Sequence, residues 1–314
     1  MSDLLEVCRG LLVNCLNVKE DEQLLIVSDD YKKNLGEYLY EAGKLLGAEA
    51  VHVTMKEREK SGQEPPIAIA EAMKNSDVVI CVTTHSLTHT KARKNAVANG
   101  ARLATMPGIT EDMFLDGAVT ADYTQVKELT EKVTKVLDTA KQIRIEKDGK
   151  ALVFSVEGRN GVPSTGVYVN KGESGNLPSG EAYIAPIEGT AFGEIVIDGS
   201  VTGIGKIDTP ITLKIEEGRI VNAVGEHADK LLAILGDGKG RCLAEFGIGT
   251  NNKARITGVI LEDEKVFGTI HVAFGSNITF GGTIEAGVHC DLVVSKPDVY
   301  IDDQKVIYAG EHLF

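Results

Sequence analysis

Residues 143–156, IRIEKDGKALVFSV, mark the point where the chain changes character. Apolar and polar residues alternate on either side of Lys147-Asp148-Gly149-Lys150. That is the pattern of two half-buried strands joined by a tight turn. Upstream, short apolar runs alternate with amphipathic stretches. Residues 23–28 (QLLIVS), 49–54 (EAVHVT), 77–83 (DVVICVT) and 101–105 (ARLAT) read as strands. Stretches 2–17, 33–46, 67–74, 90–98 and 124–143 carry helical spacing, with Ser2 as a candidate N-cap. Strands that are apolar throughout and alternate with helices imply an α/β domain with a parallel, doubly wound sheet.

Downstream, glycine turns and short strands dominate: residues 182–186, 193–199, 211–220, 255–265, 268–274, 290–295 and 298–308. A helix is expected only near 227–235. The second half therefore reads as a mainly antiparallel β (α+β) domain. A boundary near residue 145 gives a domain 1–145 and a domain 146–314.

The chain has 314 residues and a formal net charge of −13. No basic stripe offsets that charge, which argues against nucleic acid and anionic membranes as partners. No apolar run approaches the ~20 residues of a membrane span, and the start carries no signal-peptide pattern. The expected location is the cytoplasm. Cys8, Cys15, Cys81, Cys242 and Cys290 form no CxxC pair, so reduced thiols are expected. There is no Walker A sequence, GxGxxG or GxSxG.

The candidate chemistry rests on imidazoles and carboxylates. His289 and Asp291 are two apart on an expected strand, so they share a face. His271 lies in a strand whose neighbours Ile270, Val272 and Phe274 take the opposite, core face. Glu245 interrupts an apolar run, and a buried glutamate needs a partner, a proton or a metal. Taken singly, His271 also fits a satisfied polar-face histidine and Glu245 a salt-bridged carboxylate. Together with Glu181 they form an N/O ligand set without thiolates, able to hold divalent ions. His85 and His89 flank a turn after the third strand, where open sheets place ligands; they fit a substrate contact or solvated loop residues.

The segments 176–181 (NLPSGE), 243–251 (LAEFGIGTN), 261–275 (LEDEKVFGTIHVAFG) and 289–291 (HCD) resemble the aminopeptidase T/S (M29) family. In the first half, 88–94 (THTKARK), 100–110 (GARLATMPGIT) and 121–123 (ADY) do so too. The resemblance implies a homodimeric metallo-aminopeptidase. Its two divalent ions (zinc, cobalt or manganese) would be held by Glu181, Glu245, His271, His289 and Asp291. A peptide with a free N-terminus would be the substrate. Glu245 is the first candidate for the proton-transferring carboxylate and Glu264 the second; Glu264 also fits an exposed hairpin position. The chain departs from the family where a tyrosine should follow Gly275: Ser276-Asn-Ile-Thr-Phe280 stands there, and the 271–289 stretch is short. That leaves two alternatives. His271, His289 and Asp291 satisfy the two-histidine, one-carboxylate triad of Fe(II) oxygenases, and some dioxygenases acting on hydroxylated pyridines are similar to this family in fold. A non-catalytic or substrate-shifted paralogue is the other.

Overall fold

The computed structural model describes residues 3–313, so the Ser2 cap lies outside the described residues. The chain divides into two compact units: Met1–Thr124 with Gly166–Ser179, and Gln125–Thr165 with Gly180–Phe314.

In the first unit the strands Gln23–Asp29, Glu49–Met55, Val78–Val82 and Arg102–Thr105 form a parallel sheet. Val78–Val82 and Arg102–Thr105 are buried along their whole length, as strands covered on both faces must be. The helices Lys33–Leu45, Ile67–Lys74 and Lys91–Ala98 lie close to their expected positions. Thr90 caps the last of these by accepting the Arg93 amide. The fifth strand, Ser174–Asn176, comes from the second half of the chain and pairs in parallel with Arg102–Thr105. A Ser-Gly-Asn strand has no apolar pattern, which is why it is silent in the sequence. Its Asn176 side chain accepts the Thr105 hydroxyl at 2.7 Å.

The second unit stacks an eight-stranded sheet on a seven-stranded one, both antiparallel. Their inner faces share one apolar core. Ile143, Ile145, Leu152, Phe154 and Leu213 come from the first sheet; Phe246, Ile248, Ile270, Val272, Phe274, Leu292 and Val294 come from the second. The turn at 147–150 is the expected tight hairpin, with Asp148 and Gly149 both at positive φ. The fold class is therefore a parallel α/β unit plus an antiparallel β unit.

The structure departs from the sequence-based expectations in three places. The helix expected over 124–143 is Tyr123–Thr139, because the Asp302 carboxylate accepts the amides of Lys141 and Gln142 and turns the chain into a strand. Val133 and Leu137 of this helix belong to the sandwich core. The two units thus differ from a single cut near 145 at both this helix and the 166–179 excursion. Residues 255–265 form no strand. Asp263 accepts the amides of Thr257 at 2.7 Å and Gly258 at 2.8 Å. These local bonds compete with a ladder and fold the segment into a turn ending in the short helix Ile260–Asp263.

The Phe154 and Phe246 rings meet across the sandwich with centroids 5.7 Å apart. Phe154→Ala should cost about 3–5 kcal/mol, the transfer and cavity terms together. Urea unfolding should show a lower midpoint with an unchanged slope.

Candidate metal centre

Strand alternation sorts the seven-stranded sheet into two faces. In Thr269–Gly275, residues 270, 272 and 274 enter the core, which leaves His271 on the outer face. In His289–Ser295, residues 290, 292 and 294 enter the core, leaving His289 and Asp291 outside. In Glu181–Ile184, Ala182 and Ile184 enter the core, leaving Glu181 and Tyr183 outside. Glu245 needs a further device. Leu243 is a core residue, and strict alternation would put residue 245 on the same side. The register shifts between Leu243 and Glu245, where Leu243 pairs with Phe274 and Glu245 with Ala273. This bulge turns Glu245 outward.

The structure thus brings together all five residues singled out as ligands. Nε2 of His271 lies 3.2 Å from Glu245 Oε1 and 3.6 Å from Glu181 Oε2. Nε2 of His289 lies 3.2 Å from Asp291 Oδ1 and 3.4 Å from Glu245 Oε2. Potential donor atoms of Glu245, His271 and Asp291 lie within 4.8 Å of one another, and so do those of Glu181, Glu264 and His271. Glu181, Glu245, His271 and Asp291 are buried, and His289 is the open side of the cluster at 33% exposure.

Electrostatics fit a cation site. Burial alone would lower the His271 pKa, but Glu245 and Glu181 outweigh it and raise it to about 9. His289 is raised well above its usual value in the same way, by Asp291 and Glu245 against burial. Burial would raise Asp291, but His289 outweighs it and holds the carboxyl at about 2. Glu245 is likewise lowered by its two imidazole partners against burial. Protons on the imidazoles therefore supply the positive charge these carboxylates require. A divalent ion supplies the same charge with the imidazoles neutral. Two further features suit an ion. Glu181 Oε2 and His271 Nδ1 are buried without a hydrogen-bond partner. In addition, His289 Nδ1 donates to the Ser276 carbonyl at 2.8 Å, which leaves Nε2 of a neutral ring as the free lone pair.

Glu264 is not an exposed hairpin residue. It follows the short helix Ile260–Asp263, and burial pushes its carboxyl up to about 8 against the pull of Lys265. His85 and His89 lie in the first unit. His85 is half-buried, 3.7 Å from Glu57, and His89 is exposed.

Four residues escaped the sequence analysis. Lys265 is fully buried, with Nζ 2.6 Å from Glu181 Oε1 and in contact with Glu264. Within the run Glu262-Asp-Glu-Lys265 it has the signature of a solvated turn. Tyr183 and Phe280 meet edge to face at 5.4 Å, and Phe280 meets His289 at 6.0 Å. Gly247 lies beneath the His271 ring and pairs with His271 across the ladder. A Cβ there would fall 2.1 Å from His271 Cε1.

An α/β unit with a β sandwich bearing an N/O donor cluster is an architecture that spans more than one chemistry. The 2,5-dihydroxypyridine dioxygenase of Pseudomonas putida matches 100% of this chain and 98% of its own, with a TM-score of 0.85 and 18% identity. AmpT from Thermus thermophilus matches 99% of each chain, with a TM-score of 0.75 and 15% identity. At such identities the likeness is one of fold alone. A curated 2,5-dihydroxypyridine 5,6-dioxygenase from Pseudomonas putida is 27% identical over 155 residues. That stretch is 43% of this chain and 43% of the relative, so the chain spans less than half the length of the curated relative it matches. The sequence profile of the NicX family, 2,5-dihydroxypyridine 5,6-dioxygenase, matches residues 3–313, and the chain belongs to that family.

Family membership overturns the aminopeptidase expectation. The hydrolase class, the peptide substrate with a free N-terminus and the peptidase pair of zinc, cobalt or manganese ions fall with it. The physical reason for the misreading is that a carboxylate–imidazole face suits both chemistries, and only the departures after Gly275 separated them. Among the described residues no helix is long and apolar enough to cross a membrane.

Gly247→Ala should push the His271 ring out of the cluster. Divalent-metal affinity should fall about 10–100-fold, with an unchanged circular dichroism spectrum. Equilibrium dialysis with Co²⁺ measures this; an unaltered affinity would show that His271 takes no part in holding the ion.

Proposed function

We propose that this chain is an iron(II)-dependent ring-cleaving dioxygenase acting on a dihydroxylated pyridine. The observation that carries the proposal is the match of residues 3–313 to the dioxygenase family. The geometry supports it, because His271, His289 and Asp291 share one sheet face: donor atoms of His271 and Asp291 lie within 4.8 Å of each other, and Nε2 of His289 lies 3.2 Å from Asp291 Oδ1, which offers an ion two imidazoles and one carboxylate. These three residues would hold the ion. A bound ferrous ion supplies the one-electron chemistry that ground-state dioxygen requires to react with a closed-shell ring.

The protein's own groups have three tasks. Asp291 and the two imidazoles bind the ion, with His289 held in one tautomer by the Ser276 carbonyl. Glu245 touches both imidazoles and stays ionised. It keeps them in place, and its carboxylate is the acceptor for the proton of a substrate hydroxyl. Glu264 is engaged with Lys265, so we give it no proton-transfer part. Phe280 stands against His289 at the open side, and Tyr183 packs edge to face on Phe280. Their faces suit a flat heteroaromatic ring and exclude water from it.

The test is oxygen uptake by anaerobically iron-loaded protein supplied with 2,5-dihydroxypyridine. One O₂ should disappear for each ring lost, followed by the decay of aromatic absorbance, and His271→Ala should abolish both. No uptake with any dihydroxypyridine isomer would end the proposal. Phe280→Ala should raise KM about threefold to tenfold, the worth of one aromatic contact, with a smaller change in kcat. Steady-state oxygen electrode kinetics separate the two constants.

A further inference from the structure

Two donor groups overlap on the outer face and share His271: Glu245 with Asp291 on one side, Glu181 with Glu264 on the other. Only the second contains a lysine ammonium. Lys265 is fully buried, and its Nζ hydrogen-bonds Glu181 Oε1 at 2.6 Å and Glu264 Oε1. Its backbone is tied on both sides: its amide donates to the Glu262 carbonyl, and its carbonyl accepts the Asn251 amide at 2.9 Å. The side chain is fully buried on this fixed backbone. A lysine ammonium without solvent persists only where anions surround it, and here the anions are the two carboxylates that a second ion would need.

We propose that the Lys265 ammonium is a built-in cation that takes the place of a second metal ion and restricts the centre to one. The inference deepens the proposed function and rests on its one-ion centre. An ion bound by Glu181 and Glu264 would compete with the ammonium for the same two carboxylates, and the two cations would repel one another at close range in a buried site. The ion on His271, His289 and Asp291 meets no ammonium. Charge follows the same logic. Four carboxylates, Glu181, Glu245, Glu264 and Asp291, surround the cluster. With the ammonium present, a second divalent ion makes the buried site positive. Without it, two divalent ions balance the four carboxylates, Glu264 giving up its proton as the second ion binds.

The test is a metal count. Metal-free wild type and Lys265→Met are equilibrated with excess Co²⁺, desalted and analysed for metal per chain by mass spectrometry. Circular dichroism reports the fold. Mn²⁺ loading gives a second readout, because two adjacent Mn²⁺ ions couple in the electron paramagnetic resonance spectrum and a single ion does not. The expected counts are one ion in the wild type, and two with a coupled Mn²⁺ signal in Lys265→Met. Should Lys265→Met not fold, Lys265→Gln removes the charge but keeps a hydrogen-bond donor, and the same gain of one ion is expected. Two ions in the wild type overturn the inference, whatever the variants do. A folded variant that still holds one ion also overturns it. If the wild type holds one ion and opens the ring while the folded variant holds one as well, only this inference fails. If the wild type holds no ion, the proposed function fails with it.

Discussion

Burying carboxylates requires that each be met by a positive charge or a hydrogen-bond donor. On the outer face of the seven-stranded sheet, Glu181, Glu245 and Asp291 are all nearly excluded from solvent. His271, His289 and Lys265 stand among them, and each imidazole and the ammonium is raised in pKa by the carboxylates around it. This mutual neutralisation is what the centre depends on. Removing any one group leaves another buried charge without compensation, so the cluster behaves as a unit rather than as separate pairs.

The scaffold reaches this arrangement through the sandwich. One face of each central strand has to be apolar to fill the core, so the other face is free to carry chemistry. The bulge at Glu245 and the bare backbone of Gly247 are local adjustments within that plan. The bulge re-aims one carboxylate without moving the core residues on either side. The glycine leaves room for the His271 ring to lie flat on the sheet. Neither adds a ligand, and both decide where ligands point.

The same architecture in AmpT and in the Pseudomonas dioxygenase illustrates that a fold does not name a reaction. A face of carboxylates and imidazoles accepts several ions and several substrates. Two features of this chain bear on that choice: the protein cation that meets its carboxylates, and the side chains at the open side of the cluster. In this chain those are Lys265 between two glutamates, and Phe280 with Tyr183 beside His289.

The strand and helix periods, the change of character at residue 143 and the pairing of His289 with Asp291 on one face were legible in the sequence. Each follows from local geometry, from a repeat of two or of 3.6 residues. Even the clustering of Glu181, Glu245, His271, His289 and Asp291 could be expected from their segments. The strand Ser174–Asn176, the turn at 255–265 and the outward rotation of Glu245 were not legible. Each depends on a partner distant in the chain or on a side chain closing a loop. Lys265 is the sharpest case. Along the chain it is one charge in an acidic run, and only the folded structure sets its ammonium between Glu181 and Glu264, because burial and pairing arise from contacts between segments far apart in sequence.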